Sequence, residues 1–256
     1  MTLVPERITS SSNPLVKELR KLATDNTAYR KQGRVWLEGD HLCRAALLRG
    51  LQPEFGLFSE SFWPAAQLEW AQAAIKNIVL PDALLMQISG LESAPSMGFV
   101  MAVPPQPILQ PTAASLVLDR VQDAGNVGSM LRSAAAFGFG QVIALKGTAA
   151  LWSPKVLRAG MGAHFGLQLL EGVESAVLND LDVPLVVTSS HAGGVLGQTK
   201  LPMPCAWVMG HEGQGVSALL VAQAALSVRI AQPGGEESLN VAAAAAICLH
   251  FSSTQS

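Results

Sequence analysis

The run Pro104-Pro105-Gln106-Pro107-Ile108-Leu109-Gln110-Pro111 places four prolines in eight residues. Each proline removes a backbone donor and fixes φ, so the stretch fits neither a helix interior nor a central strand. It is stiffened into an extended connector. This feature divides the 256 residues into an N-terminal domain over 1–103, a linker over 104–112 and a C-terminal domain over 113–256. With 49% apolar and only 14% charged residues, there is material for a sizeable core.

Ahead of the linker, Leu15, Leu19 and Leu22 recur at helical spacing and predict a helix over 13–24. A strand near 35–38 and a helix over 40–48 follow. Apolar segments at 56–58, 78–80 and 98–103 predict further strands, with a helix over 63–75 between the first two. The expectation is a small α/β domain. Beyond the linker, strands at 115–121, 141–145, 185–189, 206–210 and 227–230 alternate with helices at 128–137, 153–161, 216–224 and 238–251. Such alternation predicts a mostly parallel sheet covered on both faces.

Charge is unevenly spread. Residues 1–50 carry nine basic and five acidic side chains, whereas the remainder carries eight and fourteen. A basic end facing a polyanion gains by counterion release, which singles out Lys17, Arg20, Lys21, Arg30, Lys31 and Arg34 as a nucleic-acid grip. An ordinary solvated helix face is the alternative. Three cysteines, far apart and without CxxC spacing, argue against a disulfide framework and a zinc site. No apolar run reaches a membrane span, and the N-terminus has no signal-peptide core. A cytoplasmic location is expected, with no metal and no membrane partner.

Ligands of parallel α/β sheets sit outside the carboxyl ends of the strands. Three loops there carry the unusual chemistry. The first, 119–132, is glycine-bearing, with Asn126 as its expected helix cap. Arg132 should follow about one turn into that helix, either gripping a phosphate or hydroxyl near the helix start or paired with Asp119 or Asp123. The second, Gly210-His211-Glu212-Gly213-Gln214-Gly215, brackets one carboxylate with glycines; position 215 lacks the second His of a metalloprotease HExxH. The third, 230–240, feeds a Pro-Gly-Gly turn into a helix expected to begin at Ser238.

Together these loops resemble the SpoU (TrmH) family of RNA 2′-O-ribose methyltransferases, within the SPOUT superfamily. The resemblance rests on Asn126-Val127-Gly128-Ser129-Met130-Leu131-Arg132, on Gly210-His211-Glu212-Gly213-Gln214-Gly215-Val216-Ser217, and on Val228-Arg229-Ile230 with Pro233-Gly234-Gly235 and Glu237-Ser238-Leu239-Asn240-Val241-Ala242. Ser153-Pro154-Lys155-Val156-Leu157-Arg158-Ala159 also resembles a family stretch. Ile8-Thr9-Ser10, Asn13-Pro14-Leu15-Val16-Lys17 and Glu38-Gly39-Asp40-His41-Leu42 resemble the family's N-terminal RNA-binding domain. Nearly the whole chain is covered.

The resemblance implies an α/β catalytic domain with a deep trefoil knot, a homodimer packed through that domain, S-adenosylmethionine as cofactor, and RNA (ribosomal or transfer) as substrate. It implies cofactor contacts around Gly210, Ile230 and Leu239, with Ser189, Val208 and Pro233 beside them. Asn126, Arg132, Glu212, Ser238 and Asn240 become the ribose-side catalytic residues. Because a guanidinium stays protonated, the expected role of Arg132 is to hold a phosphate and stabilise a developing alkoxide; the rival role is a literal base. Three positions depart from the family pattern: His211 for Asn, Gln232 for Met and Ala242 for Ser. A Rossmann enzyme is disfavoured, since Gly138-Phe139-Gly140 follows a helix instead of opening one. A serine hydrolase lacks its GxSxG. The remaining alternative is a catalytically silent RNA-binding or assembly factor.

Overall fold

The computed structural model describes residues 4–89, 91, 93, 95–189, 192–234 and 238–254. The first elements are β1 (Glu6–Arg7), α1 (Pro14–Thr24), α2 (Ala28–Gln32), β2 (Arg34–Glu38), α3 (Asp40–Leu48) and β3 (Phe55–Ser59). Then come α4 (Trp63–Glu69), β4 (Lys76–Leu80), α5 (Asp82–Ile88) and β5 (Met97–Ala102). After the proline run the chain continues through β6 (Ser115–Asp119), α6 (Ala124–Ala136), β7 (Gln141–Leu145), α7 (Pro154–Gly160) and β8 (Gln168–Val173). It ends with β9 (Leu185–Thr188), β10 (Gly194–Val195), β11 (Ala206–Gly210), α8 (Ala218–Gln223), β12 (Leu226–Arg229) and α9 (Val241–Ser253).

Two compact units result: Met1–Pro105 with Trp152–Phe165, and Gln106–Leu151 with Gly166–Ser256. The first holds a mixed five-stranded sheet in the order β1-β4-β3-β5-β2. Helix α1 follows its leucines: Val16, Leu19 and Leu22 are buried, and the Asn13 side chain caps the start by accepting from the Leu15 N–H. Helix α4 stops at Glu69, short of the expected 75. Trp70 and Ala71 are buried and Asn77 Nδ2 donates to the Ala71 carbonyl at 2.9 Å, so the chain turns early into β4. The segment around α7 belongs with this unit, although the linker would assign it to the other one. It packs on β2, Arg158 reaches the buried Glu38 carboxylate at 3.5 Å, and a Cβ on Gly162 would lie 2.3 Å from Ala45 Cβ.

The second unit holds a seven-stranded sheet in the order β10-β12-β9-β11-β6-β7-β8, every pairing parallel. Strands β6, β7 and β11 are buried along their whole length, as a sheet covered on both faces requires. One side of the core gathers Val117, Ile143, Val187, Val208 and Leu220. Behind the sheet, Trp207 is fully buried; its indole N–H donates to Ser252 Oγ at 2.9 Å, and that hydroxyl donates to the Cys248 carbonyl at 2.9 Å. Ser252→Ala leaves the indole donor without an acceptor, at a cost of about 1–3 kcal/mol. Calorimetry should show a Tm lower by roughly 5 °C, and an unchanged Tm would contradict the role given to this bond.

Candidate active site

The strand order runs out from β6 through β7 and β8, then returns on the other side as β11, β9 and β12. A reversal of this kind opens a crevice at the carboxyl ends of the central strands. Here Gly210, which ends β11, is in register with Asp119, which ends β6, and Val228 of β12 pairs with Thr188 of β9. The loops leaving these strands border a cleft of about 640 Å³. Its walls come from Val187, Thr188 and Ser189, from the whole 210–216 loop, from Ile230 and Gln232, and from Ser238–Val241 with Ala244.

The starts of α6 and α9 both differ from the sequence reading. Asp123, not Asn126, caps α6, accepting from the Asn126 N–H at 2.7 Å. Helix α9 begins at Val241 and not at the expected Ser238, and Asn240 caps it, accepting from the Ala242 and Ala243 N–H groups at 2.9 and 3.2 Å. The earlier start of α6 frees the Asn126 side chain for tertiary work. Its Nδ2 donates to Glu212 Oε1 at 3.1 Å, and its Oδ1 accepts from Asn240 Nδ2 at 2.9 Å. A continuous chain, Glu212–Asn126–Asn240, therefore joins the second, first and third loops, and the α9 cap fixes which way each amide points.

The Glu212 carboxylate also accepts from the Gln122 N–H at 3.2 Å and the Asp123 N–H at 3.1 Å. Partial burial pushes its pKa up, but the backbone donors at Glu212, Asp123 and Gln122 and the Asn126 amide hold it on balance below the usual glutamate range. A depressed folded value stabilises the ionised loop above the unfolded pKa and is lost only as pH falls through the folded one. A carbon-13 NMR titration of the Glu212 carboxyl should give a midpoint below the ordinary value of about 4.3. A midpoint at or above it would contradict the donor set.

The second loop closes on itself. His211 and Gly215 exchange backbone hydrogen bonds at 3.0 and 2.8 Å, and His211 Nδ1 accepts from the Gly213 and Gln214 N–H groups at 3.0 and 3.3 Å. His211 is thus an internal anchor of its own turn, an acceptor role open only to an unprotonated Nδ1. Below it, the buried Asp119 accepts from the Ser217 N–H at 2.6 Å and from Arg120 Nε at 3.1 Å. Arg120 adopts φ 62°, rare outside glycine, and donates from Nη1 to Gln214 Oε1 at 3.0 Å. Neither Asp119 nor Asp123 pairs with Arg132.

Arg132 is exposed, and among the described residues it makes no hydrogen bond or ion pair. The early start of α6 puts it about 12 Å along the axis from Ala124, two turns in rather than one. It therefore does not share a helix N-terminus with a bound anion. Six residues from Asn126 also means a rotation of roughly 240°, so the two side chains leave different faces. Glu212, Ser238, Asn240, Gly210, Ile230, Leu239 and Ser189 line the cleft, whereas Asn126, Arg132, Val208 and Pro233 do not. Val208 is fully buried in the sheet core, two residues short of the strand end. Pro233 is exposed and outside the lining. Gly235 and Glu237 of the third motif lie outside the described residues.

The SpoU rRNA Methylase family model matches residues 113–250, more than half of the chain. The chain belongs to this family. It is 33% identical to an uncharacterized tRNA/rRNA methyltransferase of Synechocystis, over 95% of this chain and 92% of that one. It is 29% identical to the 23S rRNA (guanosine(2553)-2′-O)-methyltransferase RlmP of Bacillus subtilis, over 96% and 98% of the two chains. Among solved structures, an AdoMet-bound rRNA methyltransferase from Sinorhizobium meliloti shares 25% identity with a TM-score of 0.84, over 98% of each chain.

For this SpoU family member, several residues around the cleft carried no signal in the sequence. Thr188, Ser227 and Ala244 line it, and Arg120 braces it from below together with Asp119. Asp119 was legible as the start of the first loop and a possible partner of Arg132; its bond to Ser217, 98 positions away, was not. The three cysteines are free and buried, and burial pushes the Cys205 and Cys248 thiols up to about 12, far from nucleophilic use. Among the described residues no group of three or more His, Cys, Asp or Glu could hold a metal ion, and no helix is long and apolar enough to cross a membrane.

The basic candidates of the first unit divide. Lys17, Lys21 and Lys31 are exposed, as is Arg30, whose Nε donates to the Tyr29 hydroxyl at 3.1 Å. Arg20 donates to Gln87 at 2.7 Å. Arg34 sits between Glu18 at 3.2 Å and Glu54 at 2.8 Å and lies over the Phe55 ring. Its charge is locally neutralised by these two carboxylates.

Proposed function

We propose that this chain transfers a methyl group from S-adenosylmethionine to a ribose 2′-hydroxyl of structured RNA, ribosomal rather than transfer RNA. The observation that carries the reading is the Glu212–Asn126–Asn240 chain, which gathers all three loops at one cleft rim. RlmP, named as a 23S rRNA 2′-O-methyltransferase, and the AdoMet-bound relative support the substrate and the cofactor.

The residues present fit that cofactor. A cleft of about 640 Å³ is within the usual range for small ligands, and it combines apolar walls (Val187, Ile230, Leu239) with hydroxyls and open backbone groups. Gly210, Ile230, Leu239 and Ser189 would hold it. When bound, S-adenosylmethionine supplies an electrophilic sulfonium methyl. The remaining work is to position and activate the ribose hydroxyl. Asn126, Glu212, Ser238 and Asn240 orient the loops and the sugar. Arg132, a permanent cation, holds the adjacent phosphate and stabilises the alkoxide as it forms.

Arg132 acts on the cleft of a second copy in this reading. Its exposed, unpartnered position supports that, as does the outer surface of α6 and α9, where Ser129, Ala136, Ala243 and the 40% exposed Ile247 present small and apolar groups. The homodimer, the knotted threading of the second unit and a cytoplasmic location belong to the same proposal. So does an RNA grip by Lys17, Lys21, Arg30 and Lys31, with Arg20 at its edge. Charge reversal at Lys17 and Lys21 should weaken RNA binding and lower its salt slope by about two. Filter binding at several salt concentrations checks this, and an unchanged slope favours a merely solvated face.

Mapping 2′-O-methyl positions in total RNA with and without the protein tests the function. Loss of one ribosomal position on deletion is expected. Loss of none would favour the catalytically silent factor.

A further inference from the structure

The turn that carries Glu212 is held by the ring of His211. Its Nδ1 accepts from the Gly213 and Gln214 N–H groups at 3.0 and 3.3 Å, beside the backbone bonds between His211 and Gly215 at 3.0 and 2.8 Å. A neutral imidazole has one acceptor nitrogen, so Nδ1 is bare here and the ring proton sits on Nε2. Protonation turns Nδ1 into a donor aimed at two backbone donors, and both bonds are lost together. The family pattern has Asn at this position, whose amide oxygen accepts such bonds without titrating. Among the described residues lining the cleft, only His211 has a side chain that ordinarily changes charge between about pH 5 and 8. The charged groups around the loop have other partners. Glu212 faces Gln122, Asp123 and Asn126, which hold its carboxyl below the usual glutamate range. From β6, Arg120 binds Gln214 and Asp119, and Asp119 also takes the Ser217 N–H. Asp123 caps α6, and Arg229 ends β12 without lining the cleft. The described lining residues from β9 and from the start of α9 are neutral. His191, Glu236 and Glu237 lie outside the described residues.

We infer that His211 is a positioning residue for Glu212 and makes the site pH-dependent: the second loop is assembled while the imidazole is neutral and opens when it takes up a proton. The inference rests on the S-adenosylmethionine reading and deepens it, because this loop borders the cleft assigned to that cofactor. The sign follows from linkage. The assembled loop accommodates only the neutral ring, so a ligand that needs the loop binds well above the titration of His211 and loses affinity as pH falls through it. One proton coupled to binding costs at most about tenfold in affinity per pH unit. Glu212, held below the usual glutamate range, stays ionised over this interval and gives no such limb. Asn at position 211 uncouples the loop from pH.

The test is calorimetric titration of S-adenosylhomocysteine into wild type and His211→Asn at about pH 5 and about pH 8, the two ends of the ordinary imidazole range. Wild type should bind at least about tenfold more weakly at the acid end. His211→Asn should bind within about twofold at both ends. The comparison is a ratio within each protein, so a variant of lower overall affinity still answers it. A long-range proton–nitrogen NMR spectrum of wild type at about pH 8 should show the His211 proton on Nε2 and a bare Nδ1. An equal pH ratio in the two proteins would make His211 merely structural and overturn the inference. So would a proton on Nδ1 at the alkaline end. If wild type bound S-adenosylhomocysteine at neither pH, the cofactor reading would fall and the inference with it, a result distinguishable from the other two.

Discussion

Replacing Arg132 with alanine should lower kcat for methyl transfer by about 10²–10³-fold, the usual effect of deleting one preorganised donor to a developing oxyanion. Affinity for S-adenosylhomocysteine should stay within about twofold, because Arg132 does not line the cleft of its own chain. The folded state should barely change: the side chain is exposed and contributes no hydrogen bond or ion pair among the described residues. Single-turnover kinetics beside a binding titration separates these effects. A variant with full activity would remove Arg132 from the reaction. One with intact chemistry but a raised KM would leave it only an RNA contact.

Gly210→Ala should act on the opposite half of the problem. A Cβ at position 210 would lie 2.1 Å from the Gly215 carbonyl carbon and 2.2 Å from the Val216 nitrogen. These are backbone atoms, so no flexible side chain can yield, and the loop that carries Glu212 has to move. Movement of that loop breaks the Glu212 bonds to Gln122, Asp123 and Asn126 together. Cofactor affinity should fall by at least about 100-fold, by analogy with other changes that displace a preorganised shell. The sheet beneath should persist, since Val208 and Trp207 stay packed. Binding at wild-type strength would show that the loop tolerates displacement and that the three-loop junction is dispensable.

The two variants together test whether Arg132 serves its own cleft or a partner's. Mixed dimers of one Arg132→Ala chain and one Gly210→Ala chain have one competent site if the arginine acts in trans. Random reassortment of the two inactive proteins should then restore about a quarter of wild-type activity. No recovery would place the arginine in cis, or the protein outside dimers.

Much of the fold was legible from periodicity. The alternation after residue 113 led to a parallel sheet because buried parallel strands are short continuous apolar runs, and 141–145 and 206–210 have that form. The helix starts were not legible at the same level. Asp123 and Asn126 are both competent caps, and local preference does not choose between them. The choice is made by Glu212, 86 residues away, which takes the Asn126 amide and leaves Asp123 to cap. Ser238 and Asn240 pose the same ambiguity, resolved by the bond from Asn240 to Asn126. The mistaken depth of Arg132 follows directly from the first of these, since four extra residues at the front of α6 carry it another turn inward. Gln232 could be noticed in the sequence only as a departure from the family pattern; that its Oε1 is buried without a partner among the described residues is a tertiary fact.

The most direct measurement is of the product bond itself. Purified protein is incubated with tritiated-methyl S-adenosylmethionine and ribosomal RNA from cells that lack it, and the RNA is then hydrolysed in alkali. A methylated 2′-oxygen cannot attack the adjacent phosphate, so the label should appear in alkali-resistant dinucleotides. Label in mononucleotides, or none incorporated at all, would contradict methyl transfer to the ribose.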